Sequence, residues 1–362
     1  MLFLTLNTFS STGGVQKSSR AMSHAISSIL KDHPSINFNM YALNDSKLAD
    51  HRYISQADFK GFEGNKMSFA FQAILKGIKS NAIVLSHINL LCLALAIKIF
   101  NKNVKIIMMA HGIEVWRPLA AWKKYFINKH VVIWAVSNFT SEYLKNEHKI
   151  TLDHIRTLNN CLDPFFKAPL SFGKPLKLLN KHLLTVHQPI LLSVARLTRF
   201  EKNKGYDQVL NVLPDLLPEF PDICYLLCGK SDNTEKLRIE KLIIKHGLQK
   251  NVKLLNFIRE EELEDHYQLA DIFVLPSKKE GFGLVFIEAA ACGRKIVSGN
   301  SDGSSDALLN GKLGTMIDVD DPRQLKEALT INLRKALNHQ EAKKIQPICL
   351  ANFSHDQYIK NV

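Results

Sequence analysis

The 362-residue chain contains no Cys-x-x-Cys pair, no low-complexity tract and no internal repeat. Its six cysteines, Cys92, Cys161, Cys224, Cys228, Cys292 and Cys349, form no metal-ligand cluster. That spacing excludes zinc ribbons, thioredoxin-type redox motifs and disulfide scaffolds, and it favours reduced, buried thiols in a cytoplasmic setting. The opening "MLFLTLNTFSSTGG" lacks a basic leader and a small-residue cleavage site, so a strand is expected there instead of a signal peptide. No transmembrane segment is expected. The most apolar window, residues 82–100, is broken by His87, Asn89 and Lys98, and reads as a buried strand (82–86) turning into a buried helix (89–100).

Acidic residues are scarce in the first half. Up to residue 170 there are 20 Lys+Arg against 10 Asp+Glu, whereas the remainder has 27 against 24. A half that basic suits an anionic surface such as phospholipid headgroups, a phosphorylated lipid or nucleic acid, and equally suits a solvated positive face. No nucleic-acid recognition module and no aromatic-basic interleaving accompany the charge, so nucleic acid is not expected as a partner.

What is present is a chain of 46% apolar and 22% charged residues, long enough for two domains. Short apolar runs alternate with longer amphipathic ones. "LFLTLN", "AIVLSH", "KIIMMAH" and "VVIWAVS" read as strands in the first half, and "PILLSVAR", "ICYLLCG", "VKLLNF", "DIFVLPS" and "RKIVSG" in the second. Helices are expected around 205–217, 234–247, 260–270 and 284–292. Strand-helix alternation implies parallel sheets covered on both faces, hence an α/β protein of two doubly wound domains. A Pro- and Lys-rich stretch marks the boundary. The expected division is a domain over 1–165, a linker over 166–186, a domain over 187–345 and a terminal helix over 346–362.

Two segments carry chemistry. "EGFGLVFIEAAACG", residues 280–293, follows the strand "DIFVLPS" and opens a helix. Gly281 and Gly283 permit close approach of a ligand to the backbone, and the amides of Leu284 and Val285 begin a helix whose N-terminus favours anions. Glu280 lies at the turn, while Glu288 lies further along the helix. The arrangement suits a ligand with hydroxyls at both ends and phosphates between them, a nucleotide-diphospho-sugar; two solvated carboxylates at a helix start would look the same. The second segment, "VARLTRFEKNKGYDQVL", brings Arg196 and Lys204 to the carboxyl edge of a parallel sheet, where an anion would sit. A charged surface loop is the alternative there.

These segments, with "ADIFVLPS", "GNSDGSSDALLNGKLG", "DDPRQL" and, earlier, "GGVQKSSRAM", "HGIEVW", "AVSNFT" and "NNCLDPFF", resemble the family-4 retaining glycosyltransferases, which are group 1 glycosyl transferases. The resemblance implies the GT-B architecture, two Rossmann-like domains facing across a cleft. It also implies that Arg196 and Lys204 grip the donor diphosphate and that Glu280 contacts the donor sugar. The backbone from Gly281 through Phe282 and Gly283 to Leu284 would bind sugar hydroxyls and phosphate, Glu288 the ribose, and Ile258 would lie near the base. Gly14 would belong to a loop meeting the diphosphate, and His111 would contact the sugar. Asn256 and Cys161 stand where the family often has glycine, and the loop holding Glu201 is longer than usual. No metal or other cofactor is expected: "DVDD" (318–321) reads as a helix N-cap followed by proline.

The expected reaction is hexosyl transfer with retention, from a UDP- or GDP-hexose to a saccharide or lipid-linked saccharide in envelope polysaccharide or lipopolysaccharide synthesis. A sugar-nucleotide epimerase or hydrolase and a non-catalytic binding scaffold are the alternatives. Trp122 and Phe126, at i and i+4 beside Lys123, Lys124 and Lys129, suggest a helix resting on the inner face of the plasma membrane, or one packed on its own core. The terminal helix is expected to pack back on the N-terminal domain.

Overall fold

The computed structural model describes residues 1–48, 50–199, 201–335 and 339–362. The chain divides into two compact units, Met1–Phe165 with Phe353–Val362, and Phe166–Asn352.

The first unit runs β1 (Leu2–Thr5), α1 (Gly14–Leu30), β2 (Asn39–Ala42), β3 (Phe59–Gly61), α2 (Lys66–Ile78), β4 (Ala82–Leu85), α3 (Leu91–Phe100), β5 (Lys105–Ala110), α4 (Ile113–Trp116), α5 (Ala121–His130), β6 (Val131–Ala135), α6 (Asn138–His148) and β7 (Ile155–Thr157). Its seven strands pair in parallel in the order β3-β2-β1-β4-β5-β6-β7. Both faces are covered, which is why the central strands are apolar throughout. Phe69 and Ala73 of α2, Leu91, Ala94 and Ile97 of α3, and Phe126 of α5 share one core with the sheet. Met22, Ala25 and Ile26 of α1 belong to the core on the other side. The expected aromatic pair of α5 is divided. Phe126 enters the core while Trp122 stays exposed, because i and i+4 lie about 40° apart around a helix and the buried arc of α5 ends between them.

The second unit runs α7 (Leu176–Lys181), β8 (Ile190–Val194), α8 (Tyr206–Leu216), β9 (Cys224–Cys228), α9 (Asn233–Lys245), β10 (Val252–Leu255), α10 (Glu260–Leu269), β11 (Ile272–Leu275), α11 (Leu284–Ala291), β12 (Lys295–Gly299), α12 (Ser304–Ala307), β13 (Thr315–Ile317), α13 (Pro322–Arg334) and α14 (His339–Phe353). The sheet order is β10-β9-β8-β11-β12-β13, all parallel. Counted within the unit this is the 3-2-1-4-5-6 order of dinucleotide-binding sheets, with its switch point between β8 and β11.

Residues 166–186, expected as a linker, lie within this unit. Buried Arg294 donates to the carbonyl of Phe172, Lys174 pairs with Asp271 at 2.7 Å, and the Lys167 N–H donates to Glu264. Asp321 caps α13, accepting from the Arg323 N–H, with Pro322 in the first turn. The terminal helix α15 (His355–Asn361) packs on α1, and the His355 ring bonds the carbonyl of Ala21 at 3.1 Å. The return to the first unit therefore starts at Phe353, and residues 346–352 belong to α14 in the second. Among the described residues, no helix is long and apolar enough to cross a membrane.

Candidate functional site

In the second unit the loops leaving β8 and β11 meet at the switch point. Lys204 Nζ, after β8, lies 2.6 Å from Glu280 Oε1, after β11. The two side chains are only 15% and 13% exposed. Burial alone would lower the Lys204 pKa, but the Glu280 and Glu201 carboxylates outweigh it and the ammonium is held above its ordinary value. Gly205 makes the approach possible. Its φ is +83°, and a Cβ there would sit 2.0 Å from the Pro276 carbonyl oxygen. Arg196 is 66% exposed and pairs with Glu201 at 2.9 Å, within electrostatic reach of Lys204. Arg196, Lys204 and Glu280 are thus brought together, with Glu201 as the fourth charge.

Asp302 escaped the sequence reading. Buried in the loop after β12, it accepts from the Glu280 N–H at 2.7 Å, the Ser277 hydroxyl at 2.9 Å, and both the N–H and hydroxyl of Ser304. The Gly303 N–H returns to the Glu280 carbonyl at 2.8 Å. One carboxylate therefore fixes the turn that presents Glu280. Burial raises its pKa despite these donors. The signal lay in "SDGS", an Asp followed two residues later by a Ser that starts a short helix.

Beyond Glu280, Gly281 leads to the buried Phe282, and Gly283 (φ +88°) caps α11, whose first residues are Leu284 and Val285. Glu288 is almost fully buried on α11, where one oxygen takes the hydroxyl of Tyr267 in α10 at 2.8 Å. Ile258 is half-buried between β10 and α10. A small depression lies at the carboxyl ends of β8 to β10, and Asn256, not Ile258, lines it with Leu197, Ser231 and Leu254.

In the first unit, the loop between β1 and α1 is tied down by the fully buried Asp45, which accepts from the N–H groups of Thr8, Phe9 and Ser10 and from the Ser10 hydroxyl. The loop delivers Gly14 to the exposed start of α1, where no side chain caps the helix. His111 follows β5. Its Nε2 lies 3.0 Å from the carbonyl oxygen of Ser86, at the end of β4. A carbonyl accepts only, so Nε2 carries the proton and Nδ1 of the neutral ring is left as an acceptor. Burial lowers the His111 pKa, which keeps the ring neutral at pH 7. His87, another residue the sequence reading left unassigned, is also lowered by burial, and Glu114 and Lys123 act on it electrostatically. Among the described residues, no three His, Cys, Asp or Glu side chains are grouped to hold a metal ion.

Residues 177–345 match the family model described as glycosyl transferases group 1. This stretch is a group 1 glycosyl transferase domain. It contains Arg196, Lys204, Glu280, Glu288 and Asp302. A GDP-mannose-dependent alpha-(1-6)-phosphatidylinositol monomannoside mannosyltransferase of Mycolicibacterium smegmatis is 32% identical over 141 residues, covering 37% of this chain and 36% of that protein. The chain therefore spans about a third of the length of that curated relative. Solved structures match the whole chain. Anabaena Alr3699/HepE in complex with UDP-glucose superposes with a TM-score of 0.79 at 16% identity, covering 100% of this chain and 98% of that one. WaaG, a glycosyltransferase involved in lipopolysaccharide biosynthesis, gives 0.72 at 15%, covering 100% and 98%. At such identities the likeness establishes the fold, which is GT-B, for the group 1 domain and the unit before it together.

Proposed function

We propose that the protein is a retaining, metal-independent hexosyltransferase of family 4 that moves a hexosyl group from a nucleotide-diphospho-sugar to a saccharide or lipid-linked saccharide. The observation that carries this reading is the Lys204–Glu280 contact at the β8/β11 switch point, where sheets of this order bind ligands. Breaking the anomeric C–O bond loads negative charge on the leaving diphosphate and positive charge on the ring. Lys204 spends one N–H on Glu280 and keeps two for phosphate oxygens, and the exposed Arg196 guanidinium adds a planar fork beside it. The start of α11, with Leu284 and Val285, adds N–H donors to the same anion. Glu280 is the sugar contact, Glu288 the ribose contact, and Ile258 the neighbour of the base.

On the first unit, the proposed donor contacts are Gly14, at the start of α1, for the diphosphate and neutral His111, through Nδ1, for a sugar hydroxyl. The departing phosphate takes the acceptor proton as the new glycosidic bond forms. The mannosyltransferase relative and the UDP-glucose-bound fold neighbour support a GDP- or UDP-hexose donor. The lipopolysaccharide neighbour supports an envelope polysaccharide or lipopolysaccharide product, and the proposed site of its synthesis is the cytoplasmic side.

A thermal-shift panel of UDP-, GDP-, dTDP- and ADP-hexoses tests the reading. One donor should raise the melting temperature with its concentration, and Arg196→Ala should cut turnover on it about a hundredfold. Stabilisation by none of the four, or an Arg196→Ala variant with unchanged turnover, would refute it.

A further inference from the structure

We propose that Glu201 is a displaceable competitor for the diphosphate: its carboxylate occupies Arg196 until a phosphate takes its place, and it weakens the hold on the nucleoside-diphosphate product more than the hold on the donor. The inference rests on the transfer reading above. Glu201 stands in the loop after β8, between Arg196 and Lys204. Backbone bonds fix that loop on both sides of it. The Glu201 N–H donates to the Thr198 carbonyl at 2.9 Å, and the Lys204 N–H donates to the Glu201 carbonyl at 3.1 Å. The Lys278 N–H donates to the Asn203 carbonyl at 2.8 Å, which ties the loop to the strand end leading to Glu280. The carboxylate is thereby kept beside the guanidinium that the diphosphate is to use.

The two carboxylates of the cluster are held very differently. Glu280 and Lys204 shield one another from water, and Asp302 fixes the turn behind them. Glu201 pairs instead with a largely exposed Arg196, so solvent screens their contact. Its other oxygen, Oε2, is buried with no hydrogen-bond donor among the described residues. A buried carboxylate oxygen without a donor has lost its water and gained nothing for it, so this position is easily given up. Glu201 also acts electrostatically on Lys204, so one side chain opposes an incoming phosphate at both cations. The diphosphate of a donor carries about two negative charges, whereas the terminal phosphate of a nucleoside diphosphate adds about one more at pH 7. Repulsion grows with charge, so Glu201 disfavours the product more than the donor. The contrary role, a carboxylate that orients Arg196 for phosphate, predicts the opposite sign when Glu201 is removed.

Calorimetric titration of the full chain and of Glu201→Gln and Glu201→Ala with pyrophosphate, UDP, GDP, UDP-glucose and GDP-mannose tests this role. Both variants should bind pyrophosphate about fivefold more tightly than the wild type at about 0.05 M salt, the gain falling to about twofold or less at about 0.5 M. The nucleoside diphosphate that the wild type binds should gain at least about twice as much as its hexose conjugate. In turnover, donor KM should fall, and inhibition by the nucleoside diphosphate should strengthen by a larger factor. Unchanged or weaker pyrophosphate binding in both variants would overturn the proposal, and weaker binding would assign Glu201 the orienting role. A hexose conjugate that gains as much as its nucleoside diphosphate would overturn it too. A wild type that binds a conjugate and transfers its hexose, with variants that match it, sinks this inference alone. A wild type that binds none of the five probes removes the transfer reading and this inference with it.

Discussion

Replacing Lys204 by Met and Glu280 by Gln, singly and together, isolates the contact on which the second unit's site is built. The two charges are 2.6 Å apart and mostly shielded from water. Removing one partner from a buried pair costs about 3–5 kcal/mol, mainly because the other charge is left unpaired. The residual exposure of both groups reduces the expected loss to about 2–3 kcal/mol for each single variant. The double variant leaves no orphan charge and should lose no more than either single one, so the coupling energy should be about 2 kcal/mol or larger. Urea unfolding followed by circular dichroism is the assay, since Trp116, Trp122 and Trp134 all lie in the first unit and would not report on the second. Turnover measured on the same proteins should fall about a hundredfold or more in every variant, including the double one, because neutralising the pair restores stability and not the cation at the leaving group. Additive stability losses would refute the pairing, and a double variant with recovered turnover would refute the role of Lys204 at the diphosphate.

Asp302→Asn should raise the donor KM and lower kcat with little change in far-UV circular dichroism, because the amide nitrogen cannot accept from the Glu280 N–H and the turn loses one charge-assisted bond, worth about 1.5–3 kcal/mol. Steady-state kinetics on Asp302→Asn and Asp302→Glu check this, and wild-type parameters in Asp302→Asn would contradict it. Acid should destabilise the fold. His24, His87, His111, His130, His182, His266 and His355 are all lowered from 6.5, with burial the first cause. As pH falls below 6.5 the unfolded chain binds protons that the fold refuses, so the melting temperature should be lower at about pH 5.5 than at about pH 7.5. Asp302 and Glu264, both raised by burial, act in the opposite sense and are fewer.

The central strands were legible because burial on both faces leaves an unbroken apolar run, as in Ile272–Leu275 and Cys224–Cys228. Asn39–Ala42, Phe59–Gly61, Ile155–Thr157 and Thr315–Ile317 were not, since three or four residues near or at a sheet margin carry too little pattern. Four helices of the second unit fell within two residues of their expected ends. Lys204 and Glu280 were visible as separate motifs, but they stand 76 positions apart and their contact depends on the topology between them. Asp302 was harder to find, because two of its four donors are backbone N–H groups that a sequence does not display. For a related reason, Pro and Lys in residues 166–186 look like a linker until Arg294 and Asp271, far along the chain, supply their partners.

The attachment of α15 to α1 has a consequence for how the protein is made. Residues 355–361 leave the ribosome only after the entire second unit, so the half that is synthesised first must wait with Ala21 and its neighbours uncovered until the second has passed. Cutting the gene at residue 165 would therefore yield a first half missing its own lid, and a separable version of that half has to carry the distant segment Phe353–Val362 spliced back onto it.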